Sequence, residues 1–331
     1  MAKKLCMAMV LALSASAADT GYLVVANKGD HTVGLIDPAA GKQVATIDVG
    51  GITPHEVIAS PDGRLAFAPI YGNSGVGKPG TDGSNLAVID LKTRKLVGNV
   101  DFGKGVRPHC PVIHPRTAML YVTTELDQTI TVIDPKTLKI IGAIPTGQTE
   151  SHMLVISHDG HRGYTANVGP GTVSVLDLDA RKTLAVIPIS GDTQRISITP
   201  DDKTVFTADQ TKPRLAVIDT ATNKVKSWID LPAPGYGTAV TPDGKLLVVA
   251  VPGANKVSIV NLGTLKVTSN IDVPAAPQEV LITPDGKSAY VSCDKSGKVA
   301  QIDLTAFKVS RLIDAGKTVD GLAWAQGSLA P

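Results

Sequence analysis

A four-residue turn signature recurs along this chain at a nearly constant interval, and few other features restrict a fold as tightly. Ser60-Pro61-Asp62-Gly63 returns as His114-Pro115-Arg116-Thr117, Ser157-His158-Asp159-Gly160, Thr199-Pro200-Asp201-Asp202, Thr241-Pro242-Asp243-Gly244 and Thr283-Pro284-Asp285-Gly286. A degraded copy, Trp324-Ala325-Gln326-Gly327, ends the series. From Pro115 onward the steps are 43, 42, 42, 42 and 41 residues, while the first step is 54 because one unit carries an insertion. A second marker keeps the same beat: Ile36-Asp37, Ile89-Asp90, Ile133-Asp134, Leu176-Asp177, Ile218-Asp219, Val260-Asn261 and Ile302-Asp303. Both markers count seven. A fixed period of this length signals a repeat architecture in which each unit is one supersecondary element.

Within a unit the pattern is alternating and β-branched. Around Pro284 the runs Glu279–Thr283, Ser288–Cys293, Lys298–Asp303 and Lys308–Ile313 are separated by turn residues, as antiparallel strands and hairpins require. Beyond the first residues no window sustains a helical period. Four strands in about 42 residues is the dimension of a propeller blade, so the expected fold is all-β, a seven-bladed β-propeller. The chain ends fit a ring. Tyr22–Asn27, Thr32–Asp37 and Gln43–Val49 supply three strands at one end, and Asp320–Ala325 supplies the fourth at the other. Sharing one blade closes the circle without an open sheet edge.

The run Thr199-Pro-Asp-Asp…Val205-Phe-Thr-Ala-Asp209…Leu215-Ala-Val-Ile-Asp219 resembles the YVTN-type β-propeller repeat, and Tyr290-Val-Ser-Cys293 stands where that family has its name-giving tetrapeptide. The resemblance spans nearly the whole chain after its first residues. It implies an extracytoplasmic or cell-surface protein, with lactonase-like enzymes among distant propeller relatives.

The first residues read differently from the rest. Lys3 and Lys4 precede the apolar stretch Leu5–Leu13, and Ala15-Ser16-Ala17 follows, the layout of a secretory signal peptide cut after Ala17 or Ala18. Residues 1–18 are therefore expected to be a leader and 19–331 a single propeller domain, periplasmic or secreted. No apolar run is long enough to span a bilayer. The formal charge of +2 and an aromatic content of 4% lack the basic, aromatic-interleaved signature of a nucleic-acid binder. The remaining cysteines, Cys110 and Cys293, fall in different units, so a bridge is not the expected state. A monomer is expected, with a small polar molecule or a protein as partner at the channel face.

In a propeller the innermost strands meet around a central channel, and its mouth is the usual binding face. Counting six residues back from each turn marker gives His55, His109, His152, Gln194, Tyr236, Gln278 and Val319. The next residues give Glu56, Cys110, Met153, Arg195, Gly237, Glu279 and Asp320. Packing alone would place small or apolar residues there, yet most are polar and three consecutive units supply histidine. Three imidazoles suit one divalent transition metal, zinc or another, with a position left open. In that reading His55, His109 and His152 are ligands, Glu56 or Glu279 a general base and Arg195 an oxyanion partner. Tyr71, Gln194, Tyr236, Gln278 and Asp320 would then line a ligand pocket. Soft sulfur at Cys110 and Met153 allows copper, but strand alternation points these side chains away from the histidines.

The insertion Tyr71–Asn85 contains G-x-x-x-x-G-K and G-x-G-x-x-G, but Pro79 replaces the hydroxyl residue and no helix is expected after it. It reads as a lid or specificity loop. Tyr71, Glu125, Asn167, Asp209 and Asp294 form a candidate outer ring, with turn stabilisation as the competing role for the Asp and Asn members. Two classes of function follow: a propeller that binds a small polar ligand or metal ion, or a metal-assisted, lactonase-like hydrolase or lyase.

Overall fold

The computed structural model describes residues 20–329, so the expected leader and its cleavage site lie outside the described residues. Within them the chain forms seven four-stranded antiparallel sheets and four single-turn 3₁₀ segments. Blade 1 is closed by both ends of the chain: Val319–Gln326 pairs with Gly21–Asn27, followed outward by Thr32–Asp37 and Lys42–Asp48. From the axis outward, blade 2 contains Ile58–Ala59, Leu65–Gly72, Asp82–Asp90 and Lys95–Asp101. Blade 3 begins at Pro108–Ile113 and blade 4 at Ser151–Ile156. Thr193–Ile198, Thr238–Val240 and Pro277–Ile282 are the inner strands of blades 5, 6 and 7. Consecutive inner strands contact one another around the circle, and the last contacts the first. The expected architecture and its shared blade are both present. No helix among the described residues is long and apolar enough to cross a membrane.

The repeated turn has a physical cause. In Thr283-Pro-Asp-Gly, the Thr283 hydroxyl donates to Asp285 at 2.6 Å and accepts from the Ser288 amide at 3.1 Å, while Gly286 takes φ +69°. Ser60, Thr199 and Thr241 make the same pair of bonds. Side-chain oxygens therefore satisfy backbone donors that a tight turn strands. His114 does this work with an imidazole: Nδ1 accepts from the Arg116 and Thr117 amides, and Nε2 lies 2.9 Å from the Gly160 carbonyl. Cys110 and Cys293 are buried and unbridged.

Apolar side chains from adjoining blades interlock between the sheets, as in the Tyr22, Val24, Ile70, Ala87 and Ala323 cluster that joins blades 1 and 2. The closing pair is close-packed. A Cβ placed on Gly21 would sit 2.2 Å from the Trp324 ring. Gly21→Ala should therefore cost about 1–3 kcal/mol in urea unfolding. Most of that cost should disappear in a Trp324→Ala background, because the clash runs between the two ends of the chain. Additive effects of the two substitutions would show that the ends do not pack as described.

Candidate functional site

Five of the seven inner strands carry a register shift at the counted column. Examples lie between Pro108 and Pro111, Ser151 and Met153, Thr193 and Ile196, and Pro277 and Val280. A bulge breaks strict alternation, so neighbouring residues can both serve the channel. Hydroxyls on the second strands absorb the freed backbone groups. Thr123 accepts from the Cys110 amide at 2.8 Å and donates to the His152 carbonyl at 2.9 Å, and Ser292 accepts from the Glu279 amide at 3.0 Å. Met153 belongs to the second column's cluster, its sulfur 3.6 Å from Arg195 Nη1. Blade 6 has Gly237 in the second column because the Gln278 carbonyl oxygen would be 2.0 Å from a Cβ.

The first column forms an aromatic cluster. His109 and His152 stack with ring centroids 3.5 Å apart, and His55 lies 5.4 Å from His109. Tyr71 is 4.6, 5.3 and 5.8 Å from His55, His109 and His152. The Tyr71 hydroxyl donates to Glu125 at 2.6 Å, and the other Glu125 oxygen accepts from Arg107 at 3.3 Å. Glu125 comes within 3.5 Å of His152 Nδ1 but without hydrogen-bond alignment. The Nδ1 atoms of His109 and His152 are buried without hydrogen-bond partners.

Burial makes these rings neutral. It lowers the His55 pKa to about 3, with Lys28 and Arg195 adding to the effect and Asp320 opposing it. Burial also drives His109 well below its ordinary value, helped by the neighbouring histidines and Arg195. His152 is lowered by burial, against the pull of Glu125. Burial pushes the Glu125 carboxyl up, but His152, Tyr71 and Arg107 outweigh it and leave the group below its usual range.

The second column forms an ion network. Arg195 Nη1 donates to Glu56 at 2.6 Å and to Glu279 at 2.5 Å, while Nη2 reaches Asp320 at 3.1 Å. Lys28 binds the other Asp320 oxygen at 3.1 Å, and the Arg195 guanidinium lies over the Tyr236 ring at 4.9 Å. Asp320 also joins the two clusters, 3.9 Å from His55 Nδ1. One guanidinium nitrogen cannot fully compensate two buried carboxylates. Burial and mutual repulsion therefore raise both Glu56 and Glu279, with Glu56 pushed well above its ordinary value. Gln194 and Gln278 are half-buried and make no side-chain hydrogen bond to either cluster.

Outer-ring candidates divide between the two roles. Tyr71 and Glu125 join the histidines. Asn167 instead binds Ser151, Thr172 and Ser174, and Asp209 holds its own turn through Thr211 and Arg214. Asp294 is partly buried beside Lys28. Sequence counting missed Lys28 and Arg107. Lys28 was within reach of a third column, since Lys28, Glu125 and Asp294 each directly follow a second strand.

A metal ion sits close to the plane of each imidazole that binds it. With planes only 28° apart and centroids at 3.5 Å, the stacked pair His109 and His152 does not aim at one point. Among the described residues no group of three or more His, Cys, Asp or Glu is arranged to hold a metal ion.

A closed ring of seven blades around a polar channel defines a seven-bladed propeller with its candidate site on the axis. The chain belongs to the lactonase, 7-bladed beta-propeller family, whose model matches residues 39–228. A YNCE-like beta-propeller model matches residues 236–328. Comparison with curated proteins found no match. Among solved structures, Kuenenia stuttgartiensis hydrazine synthase is similar, with 20% identity and a TM-score of 0.68 over 82% of this chain and 89% of that one. At that identity the likeness speaks for the fold alone.

Neutral burial of the rings has a consequence for stability. The unfolded chain protonates histidine below about pH 6.5, whereas the fold holds His109 neutral. Its contribution is complete above that pH and is lost as pH falls. His109→Asn should therefore gain stability relative to the parent below pH 6.5, by at most about 1.4 kcal/mol per pH unit. Glu56 and Glu279 act in the opposite direction but are common to both proteins. Urea unfolding at pH 7, 6 and 5 reads the difference, and parallel profiles would contradict it.

Proposed function

We propose that the channel mouth binds a small polar molecule among His55, Tyr71, His109, His152 and Glu125. The unpartnered Nδ1 atoms of His109 and His152 carry this reading. A buried polar group without a partner costs about 1–3 kcal/mol, and a ligand bearing hydroxyl or carbonyl groups would recover that loss at both rings. Neutral imidazoles can each donate and accept, which suits an oxygen-rich ligand better than a fixed charge would. The YVTN-type character of the repeat and export to the periplasm or medium belong to the same reading. Intact mass of the exported protein, starting near Ala18 or Asp19, checks the latter.

Lactone hydrolysis is the second reading, favoured by the family and by Glu125 beside His152. Glu56 and Glu279 are both engaged by Arg195, so the base falls to His152 with Glu125 orienting it. His152 would take a proton from water, the hydroxide would add to the lactone carbonyl, and the ring C–O bond would break as the protonated imidazole returns its proton to the leaving alkoxide oxygen, giving a hydroxy acid.

Thermal shift with a panel of sugar lactones and their hydroxy acids, followed by pH-stat assay, separates the readings. Binding should be lost in His109→Ala and His152→Ala, while both variants stay folded. If turnover occurs, Glu125→Gln should lower kcat about 100-fold, and the acid limb of the rate profile should lie below pH 6.5 because His152 is depressed. Unchanged binding in the triple alanine variant of His55, His109 and His152 would overturn the pocket. One equivalent of zinc bound to metal-free protein, and lost in His109→Ala, would make the occupant a metal ion.

A further inference from the structure

The insertion that lengthens blade 2 is fastened to the mouth mainly by one side chain. Arg107 is buried, and its guanidinium makes four contacts. Nε donates to Asp82 at 2.7 Å, Nη2 to the Lys78 carbonyl at 2.7 Å, and Nη1 to the Gly75 carbonyl at 3.4 Å and to Glu125 at 3.3 Å. Three of these contacts hold the insertion, and the fourth holds the carboxylate that also binds Tyr71 and lies against His152. The Gly77 amide approaches the same carboxylate at 3.5 Å.

The position of Arg107 is itself a product of the repeat. Arg107 and Glu150 have left-handed φ values of +50° and +52°, each two residues before a column histidine. Both side chains meet the insertion: a Cβ on Gly77 would fall 2.6 Å from a Glu150 oxygen. A hollow of ≈ 390 Å³ lined by Gly77, Lys78, Pro79, Arg107, Glu125 and Glu150 lies at this seam. His109 and His152 are only 1% and 3% exposed, so a ligand needs an opening to reach them.

We propose that Arg107 is the latch of a lid, holding Gly72–Asp82 shut over the Glu125 side of the histidine pocket. Ligand entry releases it. Because Glu125 is shared between latch and pocket, a ligand that engages Glu125 competes with Arg107 and loosens the lid that covers it. The proposal rests on the pocket reading, but its test needs no ligand.

Two variants attack the latch from different sides. Arg107→Gln removes the fork, and Gly77→Ala leaves Arg107 intact while displacing the Glu150 carboxylate and straining a left-handed position at φ +64°. Amide exchange across residues 72–82, read by mass spectrometry, should rise about tenfold in both. Modification of His109 and His152 by diethyl pyrocarbonate, which acylates neutral imidazole, should also accelerate about tenfold. Gly77→Ala keeps the test alive if Arg107→Gln fails to fold. Exchange and modification rates within about twofold of the parent would overturn the latch. So would a lid that opens while the histidines stay protected. If the latch fails but histidine variants still abolish binding of the lactone panel, the pocket stands without its lid.

Discussion

Seven inner strands have to meet around one axis, and nearly everything at the candidate site follows from that closure. The pairing of Val319–Gln326 with Gly21–Asn27 fixes the ring, so one residue per blade arrives at a similar depth in the channel. The register shifts in the inner strands then bring adjacent residues into service there. Two tiers of polar side chains are thereby withdrawn from water, and each tier meets the cost of desolvation differently.

The second tier compensates internally, through the Arg195 guanidinium and the Lys28 ammonium. Arg195, Lys28, Glu56, Glu279 and Asp320 are tied into one network, and removing a partner from such a network typically costs about 3–5 kcal/mol. That makes it a poor source of free catalytic groups. The first tier gives up charge. Its imidazoles are neutral, and two of their nitrogens lack partners, so the tier is chemically unfinished in a way the ion network is not. The one ionised group among them, Glu125, is held by Tyr71 and Arg107.

The fold was almost wholly legible in the sequence because each turn must satisfy the same stranded amides, and a hydroxyl with an aspartate two residues on does so in five of the seven. The column of histidines was legible for the same reason: a constant offset from a constant turn is a constant depth. What could not be read was where the inner strands bulge, and so how both columns come to serve the channel. Ring orientation was also invisible, so three histidines suggested convergence on an ion, whereas His109 and His152 stack face to face. Arg107 carried no signal, since three of its four partners lie in an insertion that the other blades lack.

The account stands on three neutral imidazoles at the channel mouth, His109 and His152 buried and His55 partly so, and side-chain nitrogen NMR observes them directly. Spectra between pH 7 and pH 5, assigned with single histidine substitutions, should show His55 and His109 neutral throughout and His152 protonating only below pH 6.5. Protonation of any two of them with midpoints at or above pH 6.5 would contradict it.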